Sequence, residues 1–410
     1  MKFCILSIAG TLSVSLAYTT DLLVPTRGPL VIPTTPASPS QLIAPSSSNV
    51  GSLVIPNVAT GTINWGADTS SVEEFSSKHP TPAFFDTAER YSTSPLVVLG
   101  MGWGTTEERF AERTEGSNGA IVGTKFTPTP WRKSKKDVVE AALRSRERMG
   151  VDKIDLYSIH MPDIFSKDPN QTPLDPVYWD GLVECVKRGI VSNVGVSNYG
   201  ATLATRCQSH LAAHGVPLVS NQIHYSLLYN SKSEVCRKAC EEMGVVTFGY
   251  FGLGMGLLTG AYSRDELLMN RDRYGLSDTH GYSQGALDLA LPSSKGKGRS
   301  FLEKRDLLKY AATSGVHSLV AEMVKVAVKH GKTVSQVAIN YCVTKNVIPI
   351  VGCSTVKQFE SNMQAGGTWR LDPEDIRALE SVEFAKFDGA GFKRSEGKFV
   401  GYGTEKWRLD

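Results

Sequence analysis

Eight short apolar runs separated by amphipathic stretches set the strongest limit on how this 410-residue chain can fold. The runs are LVIPNVATGTI (53–63), PAFFDTA (82–88), AIVGTKF (120–126), IDLYSIHM (154–161), VSNVGVSN (191–198), PLVSNQIHY (217–225), GVVTFGYFGL (244–253) and NVIPIVGC (346–353). They are nearly continuous rather than alternating, which is how strands read when a parallel sheet is buried on both faces. The stretches between them have helical spacing. Ser134 to Asp137 makes a capping box, and Val138, Val139, Ala142, Leu143 and Met149 follow at helical intervals. Residues 176–188, 201–214, 232–243, 318–329, 334–345, 356–364 and 373–382 repeat the pattern. Eight such units predict an α/β protein built as one (β/α)8 TIM barrel over residues 51–385. A doubly wound sheet is the alternative. Its G-x-G-x-x-G fingerprint fails here, because Gly252, Gly254 and Gly256 are followed by Leu257 where the motif needs glycine.

Two units depart from the regular pattern. Between Trp65 and Asp86 the only helix material is SSVEEFSSKHP (70–80), cut by Pro80 and Pro82, so the first βα unit is expected to be shortened across 66–81. After the seventh strand, residues 263–315 read as a long Gly/Ser/Lys/Arg-rich loop that includes SSKGKGR (293–299), a solvated basic run.

The ends of the chain read differently. Lys2 precedes FCILSIAGTLSVSLA (3–17), a signal peptide by pattern and too short for a transmembrane helix. Residues 18–50 are rich in Ser, Thr and Pro and are expected to be disordered, like a transit segment. Signal plus acid-poor extension resembles the two-part presequence of algae with complex plastids. Plastid import is therefore expected, with plain secretion the alternative and no membrane anchor in the mature form. Residues 386–410 form a C-terminal tail. The net charge of +3 points to no nucleic-acid partner. The 7 cysteines include no CxxC, so buried reduced thiols are expected rather than a disulfide framework or a metal site. Nothing in the pattern demands an oligomer, and a monomer is the default.

The chemistry gathers at strand ends. In a (β/α)8 barrel the C-terminal ends of the strands converge on one mouth. Asp86, Tyr91, Lys125 and His160 lie at or just past the ends of runs two, three and four. Lysine at the end of an apolar strand is costly unless paired. A free tyrosine has a pKa of about 10, and an adjacent ammonium makes it a better acid near neutral pH. Read singly, Asp86 could be a strand-end cap, Tyr91 rim packing and His160 a core histidine. The mouth also receives Ser197 and Asn198, Gln222, Tyr250 and the helix start around Gly352 and Ser354. Such groups suit a dinucleotide: amides and a hydroxyl for a carboxamide, an aromatic face for a ring, a helix N-terminus for a phosphate. Trp131 and Arg132, in TPTPWRKSKKD (127–137), read as a solvated loop, with an extension of the mouth as the alternative.

In order, DTAERY, TKF, LYSIH, VGVSNY, SNQIHYS, GLLTG (256–260) and IPIVGCSTVKQFESN resemble the motif series of the aldo-keto reductases, with a layout similar to the plant and algal chloroplast members and the pyridoxal reductases. The resemblance covers about 53–382. It implies Tyr91 as proton donor to a small carbonyl substrate, Lys125 paired with Asp86, and His160 orienting the carbonyl. It implies NADPH as cofactor, bound without a Rossmann fold. Ser197, Asn198 and Gln222 would hold the carboxamide, Tyr250 would stack on the nicotinamide, and Leu253 and Gly352 would line the cofactor channel. Ser354, Gln358 and Asn362 would take the adenosine end, and Trp65 the substrate lip. No metal is implied. The family often carries Lys or Arg at the position of Ser354, and reads Tyr-Ser-Pro-Leu where this chain has Tyr250-Phe-Gly-Leu253. The implied activity is reduction of small aldehydes or ketones. The alternative is a redox-sensing module that binds NADP(H) with little turnover.

Overall fold

The 53–63 run does not form a single strand. In the computed structural model, which describes residues 46–63, 65, 83–91, 105–114, 120–163, 173–231, 233–291 and 315–383, it divides at Pro56–Asn57. The first half, β2 (Leu53–Pro56), pairs antiparallel with β1 (Ser47–Val50) in a hairpin. The disordered reading of 18–50 is therefore corrected at its last residues. Gly51 turns the hairpin at φ 59°, and a Cβ there would lie 2.2 Å from Asn193 Oδ1, so only glycine fits. Val50 and Ile55 insert beside Phe84, Leu156, Val219, Phe248 and Ile348, so the hairpin plugs the barrel where its strands begin.

The second half, β3 (Ala59–Gly61), opens the barrel. It is followed by β4 (Phe84–Asp86), β5 (Ile121–Phe126), β6 (Ile154–Ile159), β7 (Val191–Ser197), β8 (Leu218–His224), β9 (Val246–Tyr250) and β10 (Val347–Val351). Neighbours pair parallel in that order, and β10 closes onto β3. The eight-stranded TIM barrel is as expected. The doubly wound alternative is excluded by the closure.

Helices cover the outside: α1 (Thr106–Thr114), α2 (Lys135–Met149), α3 (Asp175–Lys187), α4 (Ala201–Ala212), α5 (Glu234–Glu242), α6 (Arg264–Met269), α7 (Gln284–Ala290), α8 (Val316–His330), α9 (Val334–Thr344), α10 (Val356–Ala365) and α11 (Pro373–Ser381). The capping box before α2 is present, with Ser134 Oγ accepting from the Asp137 N–H. The expected loop after β9 is corrected over its first part, which holds α6 and α7. Leu267, Leu276, Leu287 and Leu291 are buried in a cluster with the apolar face of α8. Each buried leucine is worth roughly 1.5–3 kcal/mol, enough together to order a segment whose polar residues hide its spacing. The basic run 293–299, the shortened unit 66–81, the presequence to residue 45 and the tail from 386 lie outside the described residues. Among the described residues no helix is long and apolar enough to cross a membrane, and Cys185, Cys207, Cys236, Cys240, Cys342 and Cys353 are buried free thiols.

Candidate active site

The strand ends bring the four expected residues together. Asp86 is the last residue of β4 and Lys125 the penultimate residue of the adjacent β5. Both are buried, and the Lys125 side chain is only 2% exposed. Lys125 Nζ lies 2.8 Å from Asp86 Oδ2 and donates to the Thr87 carbonyl at 2.7 Å and to Tyr91 OH at 3.2 Å. An ammonium has three protons, and all three are committed. Burial pulls the Lys125 pKa down, and the Asp86 carboxylate pulls it back up. The ammonium also sits 4.6 Å from the Tyr91 ring centroid.

Tyr91 follows a turn and is held from behind. Its N–H donates to the Ala88 carbonyl at 2.9 Å, and its carbonyl accepts from the N–H (3.3 Å) and hydroxyl (3.2 Å) of Thr106, the first residue of α1. Within the same turn Glu89 is clamped. Both Nη atoms of Arg132 reach its carboxylate, and the Thr127 N–H donates to it at 2.6 Å. Arg132 Nη1 also donates to the Thr127 carbonyl at 3.1 Å, and Tyr178 OH to the Arg132 carbonyl at 2.9 Å. Burial pushes the Glu89 pKa up, and Arg132 pulls it down. The solvated reading of Arg132 is thus corrected: it is 4% exposed, whereas Trp131 beside it is 68% exposed. A further buried acid, Glu107 on α1, accepts from Thr124 Oγ1 at 2.5 Å and Arg148 Nε at 2.8 Å, which pins the outer face of β5. The sequence pattern did not single out Glu89, Thr106 or Glu107 as parts of the site. The one available signal was acids and a guanidinium near apolar segments.

His160 follows β6. Its N–H donates to the Phe126 carbonyl at 2.8 Å, and its Nδ1 lies 3.4 Å from Thr127 Oγ1. Its ring meets the Tyr91 ring edge to face at 5.6 Å. Burial, then the Lys125 and Arg90 charges, hold its pKa well below the usual histidine value, so the ring is neutral.

The expected cofactor side forms a linked set. Asn198 sits at φ 62°, in the left-handed region that asparagine tolerates. Its Nδ2 donates to the His160 carbonyl at 3.0 Å and its Oδ1 accepts from Tyr250 OH at 2.8 Å. Ser197 Oγ donates to the Gln222 carbonyl at 2.9 Å. Gln222 has an unanticipated partner: its Nε2 donates to Asp86 Oδ1 at 2.8 Å. At the start of α10, Gly352, Ser354 and Gln358 are exposed while Asn362 is buried. The Ser354 N–H donates to Gln358 Oε1 at 2.8 Å, and the N-cap is Thr355. Leu253 is half-buried before the 3-10 turn Gly254–Thr259.

Trp65 is not on the lip. It is 2% exposed and packs edge to face on Phe85, which in turn meets Phe110 of α1. Phe85 faces the helices because its neighbours Phe84 and Asp86 face inward, so it draws Trp65 into the outer core. Among the described residues, Ile63 (48% exposed), Trp131 and Phe251 (38% exposed) are large apolar groups left open after strand ends.

Comparison with known proteins places the fold and the family. The profile of the Aldo/keto reductase family matches residues 81–383. The chloroplastic pyridoxal reductase of Arabidopsis thaliana is 32% identical over 305 residues, 72% of this chain and 71% of that protein. Aldo-keto reductase yakc [NADP(+)] of Schizosaccharomyces pombe is 25% identical over 333 residues, 77% and 83% of the two chains. The crystal structure of a Bombyx mori aldo-keto reductase in complex with NADP superposes with a TM-score of 0.55 at 20% identity, covering 82% of this chain and 92% of that one.

Proposed function

Because the chain belongs to the aldo/keto reductase family, we propose that it uses NADPH to reduce small aldehydes and ketones to alcohols, with Tyr91 as the proton donor. The observation that carries this reading is the hydrogen bond from Lys125 Nζ to Tyr91 OH. A phenol that accepts from an ammonium keeps its own proton for another partner. A cation so close also favours the phenolate that remains once that proton has left. The neutral His160 ring, edge-on to Tyr91, offers one N–H to the same carbonyl oxygen.

The mouth fits the cofactor. Gly352, Ser354 and Gln358 are exposed at the N-terminus of the ten-residue α10, where backbone amides favour a phosphate. Ser197, Asn198 and Gln222 would hold a carboxamide, Tyr250 would face the ring, and Ser354, Gln358 and Asn362 would take the adenosine end. Bound NADPH supplies the hydride that the carbonyl carbon accepts. Ile63, Trp131 and Phe251 would form the apolar rim that excludes water. The relative named a pyridoxal reductase makes pyridoxal a substrate to test. That relative's chloroplastic label and the signal-plus-transit reading together support plastid import.

Loss of NADPH absorbance against a panel of aldehydes, ketones and pyridoxal tests the proposal. A positioned proton donor contributes about 100- to 10,000-fold. Tyr91→Phe should therefore cut turnover at least ~100-fold with NADPH binding retained. Equal turnover in the variant would remove Tyr91 from the role. NADPH binding without turnover in the natural protein would favour the redox-sensing reading.

A further inference from the structure

Beneath the Asp86–Lys125 pair lies a small cavity of about 10 Å³, room for one water. Its polar lining includes Asp86, Lys125, Gln222, Ser158 and Ser220, with Thr124. Phe84, Leu156 and Phe248 make its apolar floor. A continuous cross-strand row builds one wall: Lys125 pairs with Ser158, Ser158 with Gly195, and Gly195 with Ser220. Glycine is required in that row. A Cβ on residue 195 would lie 2.3 Å from Ser220 Oγ and 2.7 Å from Ser158 Oγ, so the two hydroxyls converge on the space that glycine leaves. Ser158 is 6% exposed and Ser220 2%. Neither hydroxyl has a hydrogen-bond partner among the described residues. A buried hydroxyl left unbonded costs about 1–3 kcal/mol, and a single water between the two would satisfy both.

We propose that Gly195, Ser158 and Ser220 build a binding site for one resident water beneath Lys125 and Asp86, and that this water sets the pH at which Tyr91 ionises. The water site stands on the cavity and the hydroxyls alone; its consequence for catalysis rests on the reading of Tyr91 as proton donor. The three protons of Lys125 are already committed to Asp86, Thr87 and Tyr91. The water therefore acts as solvent for the buried ion pair. Loss of water around Lys125 is the largest influence lowering its pKa. Removing the resident water deepens that loss and makes the ammonium harder to keep. A Lys125 that gives up its proton no longer supports the phenolate by its charge, so Tyr91 ionises at higher pH. Gly195, Ser158 and Ser220 are positioning residues in this scheme, because they act through Lys125.

Two measurements on the whole protein test it. A high-resolution crystal structure should show one ordered water within hydrogen-bond distance of Ser158 Oγ and Ser220 Oγ; an empty cavity overturns the site. Ultraviolet titration of the phenolate, with Tyr91→Phe subtracted, then reads Tyr91 directly and needs no turnover. In Gly195→Ala, whose Cβ would push both hydroxyls from their places, the Tyr91 titration should move to higher pH. Ser158→Ala with Ser220→Ala, which keeps the space and removes the hydroxyls, should move it the same way and serves if the first variant does not fold. An unchanged titration in a folded variant overturns the role of the water. Failure of Tyr91 as donor would show separately, as turnover surviving in Tyr91→Phe.

Discussion

Replacing Arg132 with alanine should destabilise the barrel in a pH-dependent way. Glu89 and Arg132 are 1% and 4% exposed, and the guanidinium supplies two of the contacts to the carboxylate. Removing it leaves Glu89 with the Thr127 N–H. Breaking a buried ion pair in this way costs about 3–5 kcal/mol. Unfolding entropy is roughly 2.1 cal/mol/K per residue, or about 0.6 kcal/mol/K for a barrel of roughly 300 residues. The melting temperature should therefore fall by about 5–8 °C at pH 8. The sign with pH follows from Glu89, whose folded pKa is raised by burial above 4.5 even with Arg132 present. Without Arg132 it climbs further. A carboxyl whose folded pKa is raised loses stability as pH rises from its unfolded value through its folded one. The deficit should thus be smaller near pH 5 than at pH 8. Circular-dichroism melts at both pH values check this, with turnover measured alongside because Glu89 sits in the turn that carries Tyr91. A drop below about 2 °C, or an equal drop at both pH values, would refute the reasoning. Glu89→Leu combined with Arg132→Met should recover part of the loss, since neither charge is then left buried alone.

Other outcomes follow from the same network. Gln222→Leu removes an N–H from Asp86 and should lower kcat; a change confined to KM for NADPH would restrict Gln222 to the carboxamide. His160 is held neutral, so kcat/KM between pH 5 and 8 should show no His160 inflection near the ordinary value of 6.5. An inflection there that vanishes in His160→Gln would contradict the assignment.

The barrel was legible because strands buried on both faces read as continuous apolar runs. The meeting of Asp86, Tyr91, Lys125 and His160 was legible because Lys125 has no low-cost place at the end of such a run without a partner. The rest lacked a local signal. Glu89 and Arg132 are 43 residues apart, and the Pro-rich segment around Arg132 has no period to show which way it points. Asn57 and Pro56 break the first run, yet no composition rule says that its front half folds back as a hairpin. The helices after β9 are short, and their polar residues outnumber the leucines that anchor them. Trp65 was placed by its motif, but its position follows from Phe85, whose outward direction depends on the strand register.

The hydrogen bond from Gln222 to Asp86 joins β8 to β4, strands on opposite sides of an eight-stranded ring, 136 residues apart. Asp86 is therefore fixed from its own neighbour, β5, and from across the barrel. It cannot follow Lys125 if that side chain moves, and Lys125 is itself fixed by Asp86, Thr87 and Tyr91. Orientation around Asp86 and Lys125 is set by closure of the sheet before any substrate arrives, the condition under which fixed charges and dipoles act most strongly on a reacting group. The helix start at α10 is built otherwise. Ser354 and Gln358 are exposed, and the Ser354 N–H donates to Gln358 Oε1, so that backbone amide must be released before it can meet a ligand. Substitutions around Asp86 should consequently appear in the rate of the chemical step, and substitutions around Ser354 in the binding of the cofactor. The two ends of one mouth differ because one is held by strands and the other by the first turn of a helix.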